Sequence, residues 1–407
     1  MVPTLQHNLY TEAQQQFASL PLPGAPDEAW RRVPLQAIAP LLESGKSPSQ
    51  LKLGRVNVLA NKKQLPAVKP DGDTDVALFK RWQQLEAERL QHRLVRANDV
   101  ELNKLFALPL LYSPLIHVLE IGSGRSAGAG RNAAEKIRID IRLASDEPAT
   151  VAAPVYYLPV LMIHVQAGTS AAVELRLQSD KQQRAAVLLS RSIVLVEDNA
   201  ALELRDVRAG ADAPQLTAGF QLDQAYLGEN SALTIGRESG RYHTGMHDAR
   251  YALQGRGAKL AEYTLMQAGG KCFSGQKTVV EQYAPHTVSD VETRSILADE
   301  AHGMCIGTIK IPQGAYQSSG HESHRSLLLS PRTRVESLPE LEIVENDVSC
   351  SHGSTITELD AEARHYLESR GISREDTRAL LTTAFADQLR SKMPGTHNQL
   401  KEEIPSE

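Results

Sequence analysis

The stretch DVSCSHGSTITELD, residues 347–360, places Cys350 two positions before His352 and follows them with Gly353. Read as a strand, it alternates faces, so Val348, Cys350 and His352 point one way and Ser349 and Ser351 the other. Val348 marks the shared face as the apolar one, where a thiol packs as a small hydrophobe. An imidazole is costly to bury without a partner, so His352 is expected at the rim, with Gly353 giving the chain a sharp exit toward a helix. Cys-x-His admits three uses: metal ligands, a nucleophile with its base, or strand packing. No orienting third group or oxyanion donor accompanies the pair, which tells against the nucleophile. The residues favour core packing for Cys350 and a rim position that needs a partner for His352.

Outward from this stretch, residues 111–357 have one texture. Short alternating runs such as AAVELRLQ (171–178), ALELRDV (201–207), SALTIGRE (231–238) and AKLAEYTLMQ (258–267) are separated by turn signals. Three of these signals, EDNAAL, GENSAL and GRGAKL, end in Leu202, Leu233 and Leu260, at intervals of 31 and 27 residues. A loose repeat of turn and strand suits a β-solenoid, in which each coil stacks on the last. Periodicity alone leaves a jelly roll or another sandwich open as well.

The flanks read differently. Residues 1–110 are expected to be mostly helical: Val76, Phe79, Trp82, Leu85 and Leu90 recur at near-helical spacing, and Asp27 is placed to cap a helix ahead of Trp30. After 357, Asp360 is an N-cap, Ala363, Tyr366 and Leu367 share a face, and Gly371 takes the C′ position. Ser373 with Asp376 approximates a capping box, Leu380, Leu381, Ala384 and Phe385 form an apolar stripe, and Pro394-Gly395 ends the helix. Thr383 and Gln388 read as outward-facing. The expected domains are therefore a helical 1–110, a strand-rich 111–357 and a helical 358–407.

Composition narrows the function. A net charge of −5 and a pI near 6.2 argue against nucleic acid as a partner. The longest apolar run, VYYLPVLMIHV (155–165), is too short to cross a membrane, so no membrane partner is expected. The opening residues are polar rather than leader-like. Three scattered cysteines, Cys272, Cys305 and Cys350, fit a reducing, cytoplasmic setting without disulfides.

Other motifs compete for the chemistry. VLEIGSGRSAG (118–128) enters Gly122-x-Gly124-x-x-Ala127, with Asp140 about 20 residues on, close to the glycine loop of an S-adenosylmethionine-dependent methyltransferase. The space for its helix is short and glycine-rich, and no βαβα alternation follows. His243 and His247 in YHTGMH would suit zinc on a helix, or a metal-binding β-sandwich enzyme, but their context is strand-like and they read as surface histidines. His321 and His324 in QGAYQSSGHESHRS (313–326) read the same way. No phosphate loop is present; AGGKC (268–272) lacks the first glycine and the hydroxyl.

The segment 338–389 then carries a resemblance. Pro339-x-Leu341-Glu342-Ile343, Asp347-Val348, Cys350-Ser351-His352-Gly353, Tyr366-Leu367-x-Ser369-Arg370-Gly371-Ile372 and Ala384-Phe385 closely resemble the C-terminal signature of the SufD type of the SufB/SufD family, in the SUF iron–sulfur cluster assembly machinery. Residues 284–311 and 326–330 look like the preceding family blocks, and PDEAWRR (26–32) is similar to an N-terminal one. HESHRS replaces an Asn-containing segment of the family, and CSHGST replaces CSHGAT. The resemblance implies a right-handed parallel β-helix flanked by helical domains. It implies a scaffold component rather than an enzyme, pairing with a SufB-type subunit, or with itself when isolated. The C-terminal helical domain would dock a SufC-type ABC ATPase, for which Leu380, Leu381 and Phe385 are the candidate contacts. A nascent iron–sulfur cluster, not held stably by this chain alone, would assemble at the subunit interface with His352 contributing and Cys350 as a second candidate. Reduced flavin is associated with the family complex, although no flavin motif is visible here.

Overall fold

In the computed structural model, the described residues are 53–68, 115–122, 135–144, 154–179, 186–207, 216–239 and 242–395, with isolated positions at 33–34, 81, 84–85, 109 and 113. Two ten-stranded sheets face one another. The first strands are β1 (Arg55–Ala60), β2 (Lys63–Gln64), β3 (Ala67–Val68), β4 (Ile116–Ile121), β5 (Glu135–Ala144), β6 (Val155–Tyr157) and β7 (Val160–Val165). The chain continues through β8 (Ser170–Ser179), β9 (Ala186–Val196), β10 (Ala201–Val207), β11 (Leu216–Leu227), β12 (Ala232–Glu238), β13 (Tyr242–Leu253) and β14 (Lys259–Ala268). It ends in β15 (Phe273–Gln282), β16 (Val288–Leu297), β17 (His302–Ile311), β18 (Ser318–Leu328), β19 (Arg334–Ile343) and β20 (Val348–Glu358), then helices α1 (Ala361–Ser369) and α2 (Arg374–Arg390).

From β7 onward, successive strands alternate between the sheets, and each pairs in parallel with the strand one coil away. This is a β-solenoid. The loose leucine repeat is its coil period: Leu202 stands in register on Leu233, and Leu233 on Leu260. The turn signals are its corners. Asn199, Asn230 and Gly257 take the same place in successive coils at φ 57°, 51° and 70°, a region that Gly and Asn enter most readily. His286 and Gln317 fill the next two corners at φ 61° and 55°. The corners also stack, through Asn199 N to Glu229 O, Asn230 N to Arg256 O and Gly257 N to Pro285 O at 2.7–3.0 Å. Between the sheets lies a core of inward-facing residues, including Val173, Leu204, Ile235, Ile139 and Tyr251.

The two ends of the coil differ. At the N-terminal end β1 pairs antiparallel with β5, and β3 antiparallel with β4, so both sheet edges are covered. Of these strands β1 and β3, with β2, lie in the segment expected to be helical, and RVNVLA carries the strand alternation that the reading passed over. The remainder of that expected domain, including the 74–106 helix and Asp27, lies almost wholly outside the described residues. At the other end β19 and β20 are the edge strands of their sheets.

The C-terminal caps are as expected. Asp360 accepts from Glu362 N and Ala363 N, Gly371 sits at φ 90°, and Ser373 accepts from Asp376 N. The second cap departs from a full box, because the Ser373 hydroxyl also donates to the Asp376 carboxylate at 2.7 Å. Helix α2 lies on the outer face of β14 and β16, where Ala386, Leu389 and Met393 pack with Leu265, Ile296 and Leu327.

Candidate functional site at the open end of the coil

The inward row of β20 is fixed by its register on β18. Cys350 stands on Gly320, His352 on Glu322 and Ser354 on His324, and all three β18 residues are buried. The same-face reading of Val348, Cys350 and His352 therefore holds. Because β20 belongs to the last coil, nothing among the described residues covers that row. Cys350 is half-buried against Ile309, Ile311, Ala315 and Leu341. Burial pushes its thiol pKa up, and a backbone hydrogen bond from Gly320 opposes the shift. His352 is exposed and makes no hydrogen bond or ion pair among the described residues. Ile343, Val344 and Ile356, at 37%, 46% and 51% exposure, also belong to the last coil.

One expectation here is corrected. The chain does not leave the sheet at Gly353: β20 continues through Glu358, and Gly353 has open space where a Cβ would be. Thr355, Ile356 and Thr357 are three β-branched residues in a row, which favour continued pairing over a helix start.

Directly beneath the row lies a polar pair that the sequence reading missed. Glu322 is 1% exposed and His324 2%. His324 Nε2 stands 2.8 Å from Glu322 Oε1, an ion-pair contact at an angle that makes no hydrogen bond, so both carboxylate oxygens lack a donor among the described residues. The carboxylate fills space left by Gly307, where a Cβ would run into Glu322 Oε1. Nearby Cys305 is pushed up to about 12 by burial, to which the Glu322 charge adds while a Ser295 hydrogen bond opposes. The signal was the HESH alternation, which puts Glu322 and His324 on one strand face.

The other histidine motifs also resolve. His247 is not a surface residue: its ring bridges Asp223 Oδ2 at 2.9 Å and Gln276 Oε1 at 2.8 Å inside the coil. His324 is likewise buried, whereas His321 is exposed with Ser351 Oγ at 2.7 Å. His243 is exposed, 4.0 Å from Cys272 Sγ. Among the described residues no three His, Cys, Asp or Glu side chains are grouped to hold a metal ion. A second buried cluster surrounds Arg237, whose guanidinium meets Glu262 at 2.7 Å and Asp223 at 2.9 Å. Burial works against that charge, yet the facing carboxylates hold it on.

VLEIGSG enters the solenoid rather than a dinucleotide fold. Its apolar part is β4, parallel to β7. Asp140 lies on β5, its Oδ1 2.9 Å from Arg138 Nε. Gly124 and Ala127 lie outside the described residues.

On α2, Leu380 is 51% exposed and Leu381 and Phe385 are half-buried. Phe385 also packs at the edge of the sheet contact, with the Arg294 guanidinium 5.0 Å from its ring centroid. Thr383 is exposed, but Gln388 is not free: its Oε1 accepts from Arg294 at 2.9 Å. No helix among the described residues is long and apolar enough to cross a membrane.

Comparison with known proteins places this architecture. The family described as SUF system FeS cluster assembly, SufBD core domain, matches residues 150–385, more than half of the chain. The chain belongs to the SufBD family. It is 28% identical over 239 residues to a SufBD family iron–sulfur cluster assembly protein of Synechocystis, covering 50% of this chain and 53% of that one. It is 35% identical over 96 residues to the iron–sulfur cluster assembly protein SufD of Escherichia coli, covering 24% and 23%. With SufD of Bacillus subtilis the identity is 22% over 244 residues, covering 52% and 56%. The chain thus spans about half the length, or less, of these SufBD relatives. The match covers the coil from β6 to β20, both helix caps and the row with Cys350 and His352.

Proposed function

We propose that this SufBD chain is the SufD-type component of a heteromeric iron–sulfur assembly scaffold. In this reading it is not an enzyme alone, and its open coil end pairs with a SufB-type subunit. The observation that carries the reading is the pair of edges, β19 and β20, left uncovered by the described residues, with His352 exposed on the inward row between them. An edge strand presents unpaired N–H and C=O groups that another chain can satisfy, and the exposed Ile343, Val344 and Ile356 of the last coil support burial there. The coil is taken as right-handed, the sense favoured for parallel crossovers, with helical domains at both ends and a cytoplasmic location.

The nascent cluster is cargo at the join. A neutral imidazole is a competent iron ligand and takes up a proton near neutral pH, so His352 is the residue of this chain that meets it. Cys350, with its raised thiol pKa, is a poor ligand until deprotonated. The exposed Leu380 side of α2 docks a SufC-type ATPase. The reduced flavin of the family complex is assigned no residue of this chain. Nothing in the solenoid favours the methyltransferase reading.

The test is co-expression with SufB-type and SufC-type subunits. The wild-type chain is expected to co-purify with both, and Ile356→Glu to lose the SufB-type subunit while staying folded. Unchanged pairing in Ile356→Glu and Ile343→Glu would move the interface away from the open end. A homodimer of the isolated chain is expected to use the same edges and to fail in the same variants.

A further inference from the structure

A chain of side chains runs from the exposed row of β20 back into the core. Ser354 Oγ donates to Ser337 Oγ at 2.8 Å, which leaves the Ser337 hydroxyl hydrogen for His324 Nδ1, also at 2.8 Å. With Nδ1 accepting, the ring N–H is on Nε2, on the side of the Glu322 carboxylate 2.8 Å away. The four residues come from three strands: Glu322 and His324 from β18, Ser337 from β19 and Ser354 from β20. The Ser337–Ser354 link therefore crosses from one sheet to the other at the last coil. There β20 has a ladder on one side only, and Ser354 is two residues from His352 on the same row.

We propose that Glu322, His324, Ser337 and Ser354 form a strut that fixes the last inward row of the coil, and thereby positions His352. Glu322 lies against the Nε2 side of His324, His324 holds Ser337, and Ser337 ties the edge strand of one sheet to that of the other. Gly307 is part of the device, because a Cβ there would displace the carboxylate from this position. These are positioning residues, not catalytic ones. The link to His352 rests on the function proposed above; the strut itself does not.

The test is hydrogen exchange on the full chain, read by peptide, in Ser337→Ala, His324→Leu and His324→Gln. Loss of one such bond is expected to speed exchange over 348–354 roughly tenfold, with β10 and β12 unchanged. His324→Gln keeps an acceptor for Ser337 and a donor toward Glu322, and is expected to restore most of the protection. Ser337→Ala removes only a hydroxyl, so it decides the matter if His324→Leu fails to fold. Unchanged exchange over 348–354 in Ser337→Ala, or a Gln variant no better than Leu, overturns the strut. Iron and sulfide in the complex co-purified with Ser337→Ala are expected to fall several-fold. If β20 loosens and cargo stays at the wild-type level while His352→Ala loses it, the positioning role is overturned. If His352→Ala keeps its cargo too, the failure belongs to the proposed function and the strut stands on its exchange data.

Discussion

Glu322 and His352 occupy one register position on neighbouring strands, yet the first is 1% exposed and the second lies open to solvent. One further coil makes the difference. The column they share runs through Val173, Leu204, Ile235, Glu262, Val291 and Glu322 before it ends on His352. Its first three members are apolar and buried against the core. Toward the open end Glu262, Glu322 and His352 make it polar, with the core residue Val291 between the two carboxylates.

His352→Ala removes an exposed ring with no partner among the described residues. Stability is expected to change by about 0.5 kcal/mol or less, while iron and sulfide in the assembled complex fall to background. Cys350→Ala leaves a small void beside Ile309 and Leu341 and is expected to cost about 1 kcal/mol, with most of the cargo kept. Metal and sulfide analysis of the two co-purified complexes compares them. A cargo lost in Cys350→Ala but kept in His352→Ala reverses the two roles, and loss in both with the complex intact makes them a joint ligand pair.

Gly307→Ala pushes a Cβ into the Glu322 carboxylate, and overpacking of this kind costs about 1–3 kcal/mol. The clash has one source, so the cost of Gly307→Ala is expected to shrink sharply in a Glu322→Ala background. A denaturant double-mutant cycle reads that coupling. Additive effects of the two changes would place the strain elsewhere.

Much of the fold was legible, because a solenoid writes its period into the chain. Leu202, Leu233 and Leu260 are one column, and Asn199, Asn230 and Gly257 are one corner. Asp360 and Ser373 cap their helices because a cap depends on residues two or three positions away. The candidate site was legible in part. Alternation placed Cys350 and His352 on one face, but Gly353 suggested an exit that the β-branched run after it overrides. The burial of His247 and His324 was not legible. His247 finds Asp223 and Gln276 on neighbouring coils, 24 and 29 residues away, and His324 finds Ser337 across the sheets. Local spacing does not report partners at those separations.

Acid is expected to loosen α2 before the coil. Burial pushes the Glu292 carboxyl up, but hydrogen bonds from Lys392 and Arg294, with the charges of both, hold it below its ordinary value of 4.5. The contacts are short, 2.6 Å to Lys392 Nζ and 2.9 Å to Arg294 Nε. A depressed carboxylate stabilises fully above its unfolded pKa, and that stabilisation is lost as pH falls through the lower folded value. Exchange in α2, corrected for intrinsic rates, should therefore rise below about pH 4.5 while that of β10 and β12 does not. In Glu292→Gln the step should vanish, leaving α2 looser at neutral pH by roughly 2 kcal/mol. An acid step that survives in Glu292→Gln would assign it to another carboxylate.

The two faces of α2 are expected to separate docking from folding. Leu389 is fully buried among Leu265, Ile296 and Leu327, so Leu389→Ala should cost about 2–5 kcal/mol and release the helix. Leu380 is half exposed and contributes little to the chain's own packing, so Leu380→Glu should change stability by about 0.5 kcal/mol or less. In the proposed function that substitution places a charge in the ATPase contact, and affinity for the SufC-type subunit should fall at least tenfold, roughly the 1.4 kcal/mol of one buried leucine. Thr383→Glu, beside it and exposed, should act in the same direction. Gln388→Glu is a poor probe of docking, because it changes the residue that accepts from Arg294 and reports on helix attachment instead. Calorimetric titration of each folded variant with the SufC-type subunit reads the effect. Wild-type affinity in both Leu380→Glu and Thr383→Glu would take the docking site off this face of α2.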